Sequence, residues 1–177
     1  MTINEPTRHD GPIVLVDYDD AWPVRFEREA RRIRTALGTR ALLLEHAGST
    51  SVPGLAAKPI IDIVLAVPDS SNEDDYVPAL EAEGYTLRIR EPDWYEHRTL
   101  KKVDPSVHLH VFSADCPEID RMLAFRDHLR ADATDRELYE RTKRDLAARE
   151  WAYVQDYADA KTEVVEEIVA RAGAPAE

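Results

Sequence analysis

Apolar residues recur along the chain with two periods, and these divide it into elements. Trp22, Phe26, Ala30, Ile33 and Leu37 repeat at helical spacing, with Asp19 or Asp20 placed to cap the start and Gly38 to stop the end. Ile13–Val16 and Ala41–Ala47 have the length and content of short strands. Ile60–Val67 is apolar except for Asp62, the pattern of a central strand buried on both faces. A polar loop, a helix from about Asp75 to Glu83 stopped by Gly84, and an alternating strand Tyr85–Arg90 follow. Thr99–Val103 and Val107–Ser113 pair as a hairpin across Asp104-Pro105. From Pro117 the period is helical. One helix runs to about Arg130, a second begins at the capping-box pattern Thr134-Asp135-Arg136-Glu137, and a last one ends near Gly173. These elements predict an α+β protein, an α/β two-layer arrangement. Residues 13–115 form its core and residues 116–173 a C-terminal helical segment of the same single domain.

Composition narrows the function classes. The 177 residues include 35 acidic and 23 basic side chains, a formal net charge of −12, which opposes generic binding of nucleic-acid backbones. Small phosphorylated ligands stay open. The lone cysteine, Cys116, excludes an internal disulfide framework and has no evident base beside it. No run approaches the roughly 20 apolar residues of a membrane-spanning helix, and Met1–Pro12 lacks the pattern of a signal peptide, so a cytoplasmic location is expected. Oligomeric state is not legible. Only five residues are lysine: Lys58, Lys101, Lys102, Lys143 and Lys161.

Candidate chemistry concentrates between His46 and Asp62. There a strand breaks at Gly48-Ser49-Thr50-Ser51, a turn whose backbone can approach an anion, and the chain returns through Lys58-Pro59 to a strand carrying Asp62. A connecting loop with a strand-end aspartate is the plain alternative. His108 and His110 share one strand face while Val107, Leu109 and Val111 take the other. If that strand adjoins the Asp62 strand, Asp62, His108 and His110 form a two-histidine, one-carboxylate set suited to a transition metal, and His46 could join it. The alternative is that the imidazoles orient Asp62. Tyr139-x-x-x-Lys143 and Tyr157-x-x-x-Lys161 each set a tyrosine and a lysine on one helical face. Both lysines, with Arg126 and Arg130, are candidates for a phosphate-binding wall, or for ion pairs with core carboxylates. Trp94 and Tyr95 could stack on a base and Arg98 could meet a phosphate, although a surface hairpin has the same composition.

The stretch from His46 to Asp62 resembles the signature of the GrpB-like family. The resemblance extends through Tyr18, Trp22-Pro23, Gly84-Tyr85, His108–Val111, Phe125–Arg130, Tyr139–Ala147 and Tyr157–Lys161, about residues 13–172. It implies the fold of the nucleotidyltransferase superfamily, a mixed sheet with helices on one side and a C-terminal helical segment. It also implies a Gly48-Ser49 turn that holds nucleotide phosphates and an Asp62 that binds a divalent metal, Mg or Mn. Related domains occur fused to dephospho-CoA kinases. One departure bears on catalysis: active members of the superfamily carry a second acid two residues beyond the first, and Val64 stands there. The expectation is a protein that binds a nucleotide or other small phosphorylated ligand through Gly48, Ser49, Ser51, Lys58, Arg98, Arg126, Lys143 and Lys161. Asp62 and His110 would be its catalytic pair if it transfers a nucleotidyl group. Two alternatives stand beside it, a non-catalytic ligand-binding module and a metal-dependent enzyme of another class using Asp62, His108 and His110.

Overall fold

The run expected to be a strand buried on both faces is an interior strand of the sheet, next to the middle one. In a computed structural model, which describes residues 12–174, β2 (Ile61–Val67) has buried residues at every position but Asp62. It pairs antiparallel with β1 (Leu43–Ala47) and parallel with β5 (Val107–Ser113). β3 (Thr86–Glu91) and β4 (His97–Lys102) complete a mixed five-stranded sheet of order β1-β2-β5-β4-β3. The expected hairpin forms between β4 and β5.

Strand alternation sends the two sets of side chains to different layers. Ile61, Ile63, Leu65, Val107, Leu109, Val111 and Leu100 pack against Trp22, Ala30, Ile33 and Leu37 of helix α1 (Ala21–Leu37) and against Val77 and Leu80 of α2 (Val77–Ala82). On the other face, Ala47, Val64, Ala66 and Phe112 meet Cys116 and Ile119 at the start of α3 (Pro117–Ala131). A third cluster joins Val52 and Leu55 of the signature loop to Leu129, to Tyr139 of α4 (Ala133–Ala147), and to Val164 and Ile168 of α6 (Thr162–Arg171). The loop is therefore packed between sheet and C-terminal helices. The architecture is the expected α+β one. No helix among the described residues is long and apolar enough to cross a membrane.

Three local expectations are corrected. Ile13–Val16 is not a strand: only Val16 bridges, to Ala57, while Ile13 turns inward against Leu146 and Tyr157. The cap of α4 is Asp132, whose carboxylate accepts the Asp135 N–H, so Thr134 lies inside the helix. Asp132 also ends α3, and this single-residue joint leaves no room for a later start. The last helix is divided at Lys161 into α5 (Val154–Ala160) and α6. The polar segment before Pro12 lies outside the described residues.

Candidate functional site

The parallel register of β2 and β5 places Asp62 opposite His108 and Val64 opposite His110. The two histidines thereby meet the carboxylate. His110 Nε2 lies 3.4 Å and His108 Nδ1 3.8 Å from Asp62 Oδ1. Gly48 approaches Asp62 from the end of β1. Its φ of 66° is in the left-handed region, and a Cβ there would lie 2.4 Å from Asp62 Oδ2. The glycine is required by contact with the acid as well as by the turn.

Two neighbours escaped the sequence reading. His97 donates to or accepts from His110 Nδ1 through its Nε2 at 3.2 Å, and its Nδ1 lies 2.7 Å from Glu91 Oε2. A chain of polar contacts thus runs from the half-exposed Glu91 through His97 and His110 to Asp62. Lys101 stands opposite His108 on β4, on the same face. Alternation within β4 would have linked His97, Thr99 and Lys101 to one another. Only the strand order sets them beside His108 and His110.

The lysines turn inward. Lys143 is 2% exposed; its ammonium donates to the Ala56 carbonyl and to Ser49 Oγ, the latter at 3.0 Å. Lys58 and Lys161 each stand 4.7 Å from the centre of the Tyr157 ring, a cation–π geometry. Tyr157 is 1% exposed, and its hydroxyl has no hydrogen-bond partner among the described residues. None of these three lysines has a carboxylate within 4.0 Å among the described residues, which argues against their being ordinary ion pairs.

Burial and mutual repulsion set their ionisation. Burial and the nearby Lys161 charge push the Lys143 ammonium down to about 7. Burial lowers Lys161 against the pull of Asp62, and burial and Lys161 lower Lys58. Burial would raise the Asp62 carboxyl, but the His110 hydrogen bond and the charges of His110, His108 and Lys161 hold it below the usual carboxylate value. Burial pushes His108 down to about 4, so it stays neutral with a lone pair near pH 7.

Other candidates lie elsewhere. Arg98 pairs with Val111 and so projects to the opposite face, where Glu73 at 2.6 Å and Glu96 at 3.1 Å engage it. His46 likewise points away from Asp62. It stacks on Phe26 of α1 and bonds Thr50 Oγ1 at 2.9 Å, and burial pushes it down to about 4. Arg126 is held by Glu45, Asp127 and the His46 carbonyl. It lines a separate hollow of about 300 Å³ with Tyr18, Phe26 and Arg130. The Ser51 hydroxyl donates to the Gly48 carbonyl and stiffens the turn. Trp94 makes edge contacts with His97 and Phe112, while Tyr95 is exposed.

Asp62, His108 and His110 bring two imidazoles and one carboxylate to one face of the sheet, but among the described residues the group whose ligand atoms all lie within 4.8 Å of one another is a different one, His128, Asp132 and Asp135. Val64 is fully buried among Ala47, Ala66 and Phe112, so the strand supplies no second acid for a pair of metals.

The chain is similar to known proteins over almost its whole length. A family model described as GrpB protein matches residues 12–171. A UPF0157 protein of Halalkalibacterium halodurans is 59% identical over 174 residues, covering 98% of this chain and 89% of the relative. A dephospho-CoA kinase of Mycolicibacterium paratuberculosis is 33% identical over 165 residues, 78% of this chain but 40% of the kinase. Among solved structures, the conserved protein GrpB from Enterococcus faecalis superposes with a TM-score of 0.77 at 31% identity, covering 89% of this chain and 98% of that one. The chain belongs to the GrpB family.

Proposed function

We propose that the protein binds a small phosphate-bearing ligand, a nucleotide being the leading class, in the cleft between Asp62 and the C-terminal helices. The observation that carries this reading is the set of inward-turned amines of Lys58, Lys161 and, behind Ser49, Lys143, with no carboxylate in ion-pair contact among the described residues. Burial lowers all three, so positive charge kept on Lys58 and Lys161 is costly unless an anion shares the site. It arises within a chain of net charge −12, so it is local to the cleft. Lys58 and Lys161 would meet the phosphate oxygens, while Lys143 sits deeper, behind Ser49. Asp62 would hold a divalent cation, Mg²⁺ or Mn²⁺, that the phosphate brings with it. The kinship with a protein named dephospho-CoA kinase supports a nucleotide-derived phosphate as ligand. If a nucleotidyl group is transferred, Asp62 and His110 are the groups placed to receive the acceptor's proton.

Calorimetry with ATP, GTP, CTP and UTP, each with Mg²⁺ or Mn²⁺, tests the reading. Saturable binding is expected, weakened at least about tenfold by Lys161→Met through loss of a charged hydrogen bond. A folded protein that binds none of the four defeats it. Asp62→Asn then separates catalyst from binding module, since only a catalyst loses turnover while still binding ligand.

The neutral His108 beside Asp62 favours a second reading, a metal-dependent enzyme of another class using Asp62, His108 and His110. Metal analysis of untagged protein addresses it. An empty protein whose melting is indifferent to Zn²⁺, Mn²⁺ and Fe²⁺ rules it out.

A further inference from the structure

The signature turn carries three hydroxyls, and they are not equivalent. Thr50 donates to the Ile60 carbonyl and bonds His46, and it is 1% exposed. Ser51 donates to the Gly48 carbonyl and is 3% exposed. Ser49 alone is partly open to the cleft, and its partners are a lysine and a tyrosine rather than backbone carbonyls. Both partners come from one face of α4. Lys143 Nζ is 3.0 Å from Ser49 Oγ, and the Tyr139 phenol, one turn earlier on the same face, interacts with the Ser49 side chain, which lowers the phenol against the effect of burial.

We propose that Ser49 is a nucleophile toward a phosphoryl centre, with Lys143 as the general base that takes its proton and Tyr139 as the donor that orients its oxygen. This rests on the reading of the cleft as a phosphate site. As an ammonium, Lys143 donates to both the Ala56 carbonyl and Ser49 Oγ; once neutral it keeps an N–H for Ala56, and the 3.0 Å contact reverses so that the Ser49 hydroxyl donates to its lone pair. A lysine next to a serine hydroxyl is an established way to activate such a nucleophile. In the step itself, Ser49 Oγ bonds to phosphorus and the bond from phosphorus to the leaving oxygen breaks. The leaving phosphate departs with that electron pair, and the serine proton passes to Lys143 Nζ. Lys58 and Lys161 supply positive charge on the cleft side, where negative charge develops. Lys161, Lys58 and Arg144 favour the neutral amine of Lys143, and Glu140 opposes them.

A fluorophosphonate probe tests the serine with no need for the natural ligand, because its attack releases fluoride and leaves the phosphonyl group on the oxygen. Intact-mass analysis of the full chain should find one adduct, and peptide mapping should place it on Ser49. The labelling rate should rise with pH through about 7, where Lys143 loses its proton. Ser49→Ala should abolish the adduct, and Lys143→Met should slow it by about 100-fold or more, the usual loss of a general base. Lys143→Arg should not restore it, because arginine stays charged. No adduct on the wild-type protein, an adduct elsewhere than Ser49, or undiminished labelling of a folded Lys143→Met variant overturns the proposal. Should that variant not fold, a rate independent of pH between 6 and 9 in the wild type does the same. Nucleotide binding without labelling sinks the nucleophile alone. Labelling of Ser49 without nucleotide binding keeps the nucleophile and removes the nucleotide.

Discussion

Gly48 and Asp62 are in contact: any side chain at Gly48 would place its first carbon 2.4 Å from Asp62 Oδ2. The pairing of Ala47 with Asp62 across β1 and β2 brings them together, because the chain turns at Gly48 directly over the carboxylate. The glycine therefore positions the acid.

Gly48→Ala is expected to be severe. The substitution adds the clash to a backbone of φ 66° and ψ −174°, a region that side chains disfavour. A loss of about 2–4 kcal/mol is expected, read by urea unfolding, together with loss of nucleotide binding. Unchanged stability would mean that Asp62 moves aside freely.

Restoring the second acid should not restore a two-metal site. Val64 is fully buried in the cluster with Ala66, Phe112, Cys116 and Ile119, so Val64→Asp places a charge in an apolar layer. The variant should lose about 3 kcal/mol or more, on the scale of a buried unpaired charge, with no recovery on adding Mn²⁺. Melting followed by circular dichroism with and without the ion decides it.

The sheet's other face holds a buried ion pair with a purely structural role. Lys102 donates to both oxygens of Glu29, at 3.0 and 3.2 Å, and the Tyr85 hydroxyl donates to the same carboxylate at 2.8 Å. Glu29 is 0% exposed. Lys102→Met alone should cost about 3 kcal/mol, because it leaves the buried Glu29 with only the Tyr85 hydroxyl and the exposed Arg32 at 3.8 Å. Adding Glu29→Gln should recover much of that loss, and a double-mutant cycle by urea unfolding measures the recovery.

Acid should destabilise the protein well above the usual carboxylate range. His46, His97 and His108 are pushed by burial from 6.5 to about 4. Between those values the unfolded chain takes up protons that the folded chain does not, so stability falls as pH falls through 6.5 toward 4 and is intact above about 7. Each imidazole contributes on the order of 1–2 kcal/mol by pH 5. Melting temperatures from pH 8 to pH 5 should drop by about 5 °C or more, and a flat profile would contradict the burial of these rings.

Arg98→Ala should lower stability without touching the ligand. Its guanidinium is engaged by Glu73 and Glu96 on the face away from Asp62. Nucleotide affinity should stay within about twofold of wild type, a change near the thermal energy, and a larger loss would place Arg98 in the cleft.

How far the site could be read in advance follows from which contacts are local. Alternation along β5 was enough to put His108 and His110 on one face, and spacing along α4 and α5 put Tyr139 with Lys143 and Tyr157 with Lys161. These are short-range consequences of the strand and helix periods. His97 and Arg98 show the boundary. They are adjacent in sequence and the loop chemistry around them looks alike, yet one enters the Asp62 network and the other leaves it. Which of the two enters depends on the β4–β5 register, a relation between distant segments.

By itself, then, the sequence determined the elements, the family, and the pairing of residues within each strand and helix, because hydrophobic period and turn chemistry are local. Only the tertiary structure decided that Asp62, His110 and His97 form one chain, that Lys143 lies behind Ser49, and that Lys58 and Lys161 share Tyr157. Those contacts arise where the signature loop is packed between sheet and helices, and burial there lowers the lysines, Lys143 to about 7, while no carboxylate among the described residues pairs with them.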